Sequence, residues 1–65
     1  MNTVKYDQKN FIAYVTLNRP DMLNAFNYEM LEQLRTVIES IQIHPDIRLV
    51  IITGAGDKAF SVGAD

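Results

Sequence analysis

The residues with the clearest chemical potential are the small ones near the end of the sequence. Leu49-Val-Ile-Ile-Thr53 is a run of apolar and β-branched residues, and Gly54-Ala-Gly-Asp-Lys-Ala-Phe-Ser-Val-Gly-Ala-Asp65 follows it. An apolar run of this kind reads as a strand covered on both faces. Gly54, Ala55, Gly56, Ala59, Gly63 and Ala64 carry almost no side chain, so main-chain amides of this loop can come close to a bound group.

Three chemistries fit such a loop. Gly54-Ala-Gly-Asp-Lys-Ala59 matches the G-x-G-x-x-G/A fingerprint that seats a pyrophosphate on a helix amino terminus. That motif needs a helix opening inside it, and Phe60-Ser-Val-Gly63 is a poor helix start. A structural reading has the glycines simply ending a strand. The third reading is an anion-stabilising site, in which a Gly-Ala-Asp turn aims the amide of Ala64 at a developing negative charge. Asp65 would then cap a helix beginning immediately afterwards. Preorganised donors of this kind lower a barrier by roughly 3–4 kcal/mol each.

The elements that must position this loop are short. Sixty-five residues allow one small domain, which buries only about 60% of its unfolded surface. There is no cysteine, so neither disulfides nor a cysteine-based zinc site is available, and no metal site is expected. A formal net charge of -2 offers no basic patch for nucleic acid. No apolar run approaches the roughly 20 residues that cross a bilayer, and the first ten residues lack the apolar stretch of a signal peptide. A cytoplasmic protein is expected. With 48% hydrophobic and 22% charged residues, the balance is that of a folded domain.

Val4 to Gln8 alternates weakly and reads as a short strand, with Lys9-Asn10 as a hairpin turn that lacks the usual glycine. Phe11 to Leu17 is β-branched and aromatic, which predicts a second strand ended by Asn18-Arg-Pro-Asp21. Met22 to Phe26 is an apolar link, and Asn27 is placed to cap a helix. Met30, Leu31, Leu34, Val37, Ile38 and Ile41 form one apolar stripe at helical spacing, opposite Glu29, Glu32, Arg35, Thr36, Glu39 and Ser40. His44-Pro45 ends that helix, and the lone His44 reads as a solvated loop residue rather than a general base. Ile47 to Thr53 is the third strand, expected to lie parallel to the second through a right-handed crossover. One helix covers one face of such a sheet. An apolar third strand therefore calls for a further layer.

Several segments together resemble one family. Val15-Thr-Leu-Asn-Arg-Pro20, Leu23-Asn-Ala25, Pro45-Asp-Ile-Arg-Leu-Val-Ile-Ile-Thr-Gly54 and Lys58-Ala-Phe-Ser-Val-Gly-Ala-Asp65 are similar, in order and spacing, to the start of the crotonase (enoyl-CoA hydratase/isomerase) superfamily. The resemblance implies an α/β fold, the amino-terminal β-β-α-β part of the ClpP/crotonase spiral, incomplete on its own, with residues 1–65 as one piece of a domain. Ala64 matches a position whose backbone N–H is one of two oxyanion-hole donors to the thioester oxygen. Ala59 and Ser61, Val62, Gly63, Ala64 and Asp65 match the loop lining the CoA and acyl site, and Met22 and Leu23 the segment along the CoA nucleotide and pantetheine. Met22 stands where the family often has a lysine, and a methionine makes no charge contact with the CoA phosphates.

The resemblance further implies an acyl-CoA thioester substrate, with coenzyme A entering as part of that substrate and no separate cofactor. Enoyl-CoA hydratase, adding water to 2-enoyl-CoA thioesters, is the expected activity, with an enoyl-CoA isomerase or another reaction of the family as the alternative. The second oxyanion donor and the acid–base carboxylates belong to positions beyond Asp65. The expected partner is a complementing chain with the rest of the fold, assembled as a trimer or hexamer of complete units. A different class of reading is a non-catalytic truncated fragment or interaction module. Glu29, Glu32 and Glu39 lie on the polar helix face and are not the missing acid–base pair.

Overall fold

A computed structural model describes residues 3–63. It orders them as β1 (Val4–Lys9), β2 (Ile12–Leu17), a 3₁₀ turn (Pro20–Met22), α1 (Tyr28–Ile43) and β3 (Leu49–Gly54). The sheet runs β1-β2-β3, with β1 antiparallel to β2 and β3 parallel to it. The parallel pairing of the two helix-linked strands is as the sequence implied.

The hairpin closes one residue later than expected. Lys9 pairs with Ile12, so Asn10-Phe11 is the loop, and Asn10 takes a left-handed φ of 55°. Asparagine tolerates that conformation better than most side chains, so it does here what a glycine does in other hairpins.

Strand alternation decides where the core lies. Ala13, Val15 and Leu17 of β2 point to one face and are buried, joined by Val4 from β1 opposite Leu17. Met30 of α1 packs on Val4, Val15 and Leu17 with no exposed surface, flanked by Phe26, Leu34, Val37 and Ile41. Leu31 and Ile38 stay exposed, so the apolar stripe of α1 is wider than the strip it packs against.

Asn27 caps α1 as expected: its extended backbone leaves Oδ1 free to accept from the Met30 amide at 2.9 Å. At the other end the His44 amide donates to the Ile41 carbonyl, and Pro45 follows. On the outer face Arg35 lies 3.7 Å from Glu32 and 3.5 Å from Glu39, both pairs well exposed and so worth little. Gln33 is the polar exception on the inner side. Its Oε1 accepts from Thr3 N, Thr3 Oγ1 and Val4 N, which ties the start of β1 to the helix.

Entry into β3 is fixed at Phe11. Its carbonyl accepts from the Arg48 and Leu49 amides at 2.8 and 3.2 Å, and the Arg48 guanidinium lies 5.5 Å from the Phe11 ring centroid. Those contacts make Ile47 and Arg48 an approach rather than part of the strand. The ladder then runs from Ile12 opposite Leu49 to Leu17 opposite Gly54.

The structure departs from the sequence reading in the cover over β3. A strand apolar on both faces was expected to be covered by α1 on one side and to need a further layer on the other; Leu49, Val50, Ile51 and Ile52 are all exposed, the helix side included. Val50 and Ile52 share the helix side with Ala13 and Val15, while Leu49 and Ile51 face the opposite way. The reason is width. A helix about 10 Å across covers about two strands spaced about 4.8 Å apart, and α1 sits over β1 and β2. Among the described residues both faces of β3 are left partly open, with its apolar side chains 36–53% exposed.

In the 65-residue chain, Met30→Ala is expected to abolish the cooperative melt, since large-to-small changes at a closed core site cost about 2–5 kcal/mol. Leu31→Ala should move it by less than about 1 kcal/mol. Circular dichroism melts of both variants check this, and equal losses would place the packed face of α1 elsewhere.

Candidate functional site

The sequence-predicted site residues among those described, Met22, Leu23, Ala59, Ser61, Val62 and Gly63, fall on two loops at one end of the sheet. The first leaves β2 at Leu17 and runs through the 3₁₀ turn to Phe26; the second leaves β3 at Gly54 and runs to Gly63. Because Leu17 and Gly54 are ladder partners, the two loops start side by side. The Ala55 amide also donates to the Leu17 carbonyl at 2.7 Å.

Asn24 holds the loops together. It is fully buried and adopts φ 56°, following Leu23 at φ 52°. Its Nδ2 donates to the carbonyls of Ala55 and Ala59 at 2.9 and 3.0 Å, and its Oδ1 accepts from the Arg19 amide at 2.8 Å. Two acceptors on one side and one donor on the other leave a single sensible orientation for the amide. The Arg19 side chain reaches the Ala25 carbonyl, and the Arg19 carbonyl accepts from the Met22 and Asn24 amides, so this loop is also closed on itself.

The main chain of the second loop is tied to the same segment. Ser61 Oγ donates to the Asn24 carbonyl at 2.8 Å and accepts from the Gly63 amide at 3.1 Å. The Phe26 amide donates to the Gly63 carbonyl at 2.9 Å. Gly63 has φ 98°, a conformation few other residues adopt without strain.

Gly54 has a different task. A Cβ built there would lie 2.3 Å from the Phe60 carbonyl oxygen and 2.7 Å from Phe60 Cα. The loop doubles back over Gly54, so the absent side chain admits the protein's own backbone. No helix opens among the described residues after Gly54, which removes the structural context that the dinucleotide fingerprint requires.

A cleft of about 260 Å³ separates the loops, with Pro20, Asp21 and Leu23 on one wall and Gly56, Asp57 and Lys58 on the other. Leu23 and Ala59 thus meet at this cleft, with Asn24 at its base. Met22 and Val62 do not line it and stay largely exposed. Leu23 and Phe60 are exposed too and form no part of the core. Ala64 and Asp65 lie outside the described residues. His44 lies in the turn beyond α1, where its Nδ1 accepts from the Asp46 amide.

Sequence reading gave Asn24, Ser61 and Phe26 no such linking role. The available signal was a single asparagine inside the apolar link Met22 to Phe26, where a polar side chain must find partners if it is buried.

The family model for enoyl-CoA hydratase/isomerase matches residues 12–65 of this chain. The chain belongs to that family. The short-chain-enoyl-CoA hydratase of Clostridium acetobutylicum is 42% identical over 65 residues, all of this chain and 25% of that protein. The (E)-benzylidenesuccinyl-CoA hydratase of Thauera aromatica is 40% identical over 62 residues, 95% of this chain and 24% of that protein. A crystal structure of an enoyl-CoA hydratase/isomerase from Mycobacterium paratuberculosis superposes with a TM-score of 0.94 at 38% identity, covering 100% of this chain and 25% of its own. The chain therefore spans about a quarter of the length of the enoyl-CoA hydratases it matches. Its β-β-α-β arrangement is the amino-terminal part of the crotonase fold. Among the described residues, no helix is long and apolar enough to cross a membrane.

Gly54→Ala is expected to open the second loop, because the new methyl meets backbone rather than a side chain that could turn aside. Limited proteolysis between Ala55 and Ser61 should quicken markedly. An unchanged digestion pattern would mean that the loop does not hold its place over Gly54.

Proposed function

We propose that this chain supplies the amino-terminal part of an acyl-CoA thioester site, and that the complete protein is an enoyl-CoA hydratase. The observation that carries the reading is the fixing of both polar groups of Gly63, the amide by Ser61 and the carbonyl by Phe26. A trans peptide directs its carbonyl and its N–H to opposite sides. The Gly63 carbonyl, held against Phe26, belongs to the peptide unit whose N–H is the proposed donor.

In the proposed reaction, water adds its oxygen to the β carbon of a 2-enoyl thioester and a proton goes to the α carbon. Negative charge accumulates on the thioester oxygen as the enolate forms, and the Ala64 amide donates to that oxygen. A donor placed beforehand needs no reorganisation when the charge appears, and losing one such donor costs about 10²–10³ in kcat. The amide moves no proton, so the acid and base, with the second donor, come from the remainder of the fold. Coenzyme A enters as part of the substrate. Leu23, Ala59 and Ser61 to Asp65 would lie along it, with Met22 beside its nucleotide end.

The two relatives named for hydration differ in substrate, one a short-chain enoyl-CoA and the other a benzylidenesuccinyl-CoA. Their shared similarity to this segment favours the common step, hydration of a CoA thioester, over any acyl-chain preference. The exposed side chains on both faces of β3 favour a unit completed by the rest of the fold; assembly as a trimer or hexamer, in the cytoplasm, is part of the same proposal. Those side chains equally suit a non-catalytic fragment, and complementation separates the two.

The 65-residue chain alone is expected to hydrate crotonyl-CoA no faster than buffer does. Joined to a chain carrying the remaining three quarters of the fold, it should turn over. In that complemented enzyme Ala64→Pro, which deletes the amide proton, should lower kcat by about a hundredfold or more while native mass shows assembly intact. Turnover by the isolated chain, or an active Ala64→Pro enzyme, would refute the corresponding part of the reading. Assembly without turnover in the unsubstituted enzyme would favour the non-catalytic fragment.

A further inference from the structure

Resting on the reading of Ala64 as a donor to the thioester oxygen, we propose that Asn24 is a positioning residue for the Gly63–Ala64 peptide. Gly63 is exposed, Val62 is 59% exposed, and a Cβ on Gly63 would meet nothing within 4 Å. Packing therefore gives Gly63 no fixed place. Hydrogen bonds do, and they lead back to the segment from Asn24 to Phe26.

One route runs through Ser61. The Ser61 hydroxyl donates a hydrogen bond to the Asn24 carbonyl, which turns an Oγ lone pair toward the Gly63 amide. The second route is the Phe26 amide on the Gly63 carbonyl. Both depend on the chain direction at Asn24, whose left-handed φ and fully buried side chain are fixed by the bonds to Arg19, Ala55 and Ala59. Asn24 thus sets the path of the first loop and, through the Ala55 and Ala59 carbonyls, the base of the second. A displacement there is carried to Gly63 through these hydrogen bonds.

The demand on residue type is specific. Aspartate keeps the shape but turns an oxygen toward two carbonyl oxygens. Alanine leaves those carbonyls and the Arg19 amide without their side-chain partner. Ser61→Ala cuts only the first route and leaves Asn24 in place, which makes it the gentler probe. A residue that serves folding alone would change the amount of assembled enzyme. A residue that positions the donor changes kcat per assembled site and leaves substrate affinity nearly alone, because the contact is made mainly in the transition state.

The experiment is steady-state kinetics with crotonyl-CoA on the complemented enzyme, comparing the unsubstituted chain, Asn24→Asp, Ser61→Ala and Ala64→Pro at equal assembled concentration by native mass. Asn24→Asp and Ser61→Ala are each expected to lower kcat by about tenfold to a hundredfold with KM within about threefold, the scale of a donor misplaced by about 1 Å. If Asn24→Asp does not assemble, Ser61→Ala decides. A Ser61→Ala kcat equal to that of the unsubstituted enzyme overturns the proposal, as does a loss that appears only in KM. An inactive unsubstituted enzyme, or an active Ala64→Pro, overturns the donor reading instead. In that event amide exchange at Gly63, followed by NMR, decides the positioning: tenfold faster exchange in Ser61→Ala supports it, and an unchanged rate overturns it.

Discussion

The carboxamide of Asn24 is the contact on which the functional end of this chain depends. A buried polar group without partners costs about 1–3 kcal/mol, so an asparagine with no exposed surface has to find bonds or leave the interior. It finds three through its side chain, all to main-chain atoms of Arg19, Ala55 and Ala59. Those atoms lie on the loops that leave β2 and β3. Two irregular segments with little apolar surface to bury are thereby joined by directional bonds in place of a core. The left-handed pair Leu23 and Asn24 adds strain of roughly 1–2 kcal/mol per residue, which the surrounding bonds must offset. Gly54 completes the arrangement by letting the backbone at Ala59 and Phe60 fold back against the strand end.

The opposite situation holds along β3. Here the side chains are apolar and the backbone is paired on one edge only, so the strand has everything a central strand needs except neighbours. An exposed apolar strand edge is a liability in water. A 65-residue unit has little stability to set against it. Yet the segment superposes closely on the matching quarter of a crotonase-fold enzyme. Within the segment, the hairpin, the Phe11 contacts and the Val4–Met30 core hold that shape.

Periodicity made the regular part of this structure legible. The stripe from Met30 to Ile41, the Asn27 cap, the proline after His44 and the β-branched runs each name their element through steric rules that act within a few residues. The parallel pairing of β2 with β3 follows from the helix between them. The misreadings share a cause, which is dependence on something outside the local window. The hairpin shifted by one residue because the cross-strand pairing of Lys9 with Ile12 sets the loop at Asn10-Phe11. Leu31 and Ile38 belong to the apolar stripe, but they lie outside the strip of α1 that packs on β1 and β2. Asn24 gave no periodic signal, since its partners Ala55 and Ala59 lie more than thirty residues away.

The proposed site, in which a main-chain amide is the donor, would be hidden in a sequence for a further reason. Every residue except proline carries an amide N–H, so the identity of the donor residue says little about its function. Chemistry of this kind is specified instead by the residues that fix the backbone. Gly54 admits the fold-back and Gly63 adopts φ 98°, while Ser61 relays the Asn24 carbonyl to the Gly63 amide. Ala59 contributes its own carbonyl as an acceptor, so its small side chain is incidental to that bond. The small residues that first drew attention are thus of two kinds. Some leave room, and others are there only because the backbone they carry is being held. Residue type alone does not separate the two; the hydrogen bonds that converge on Asn24 do.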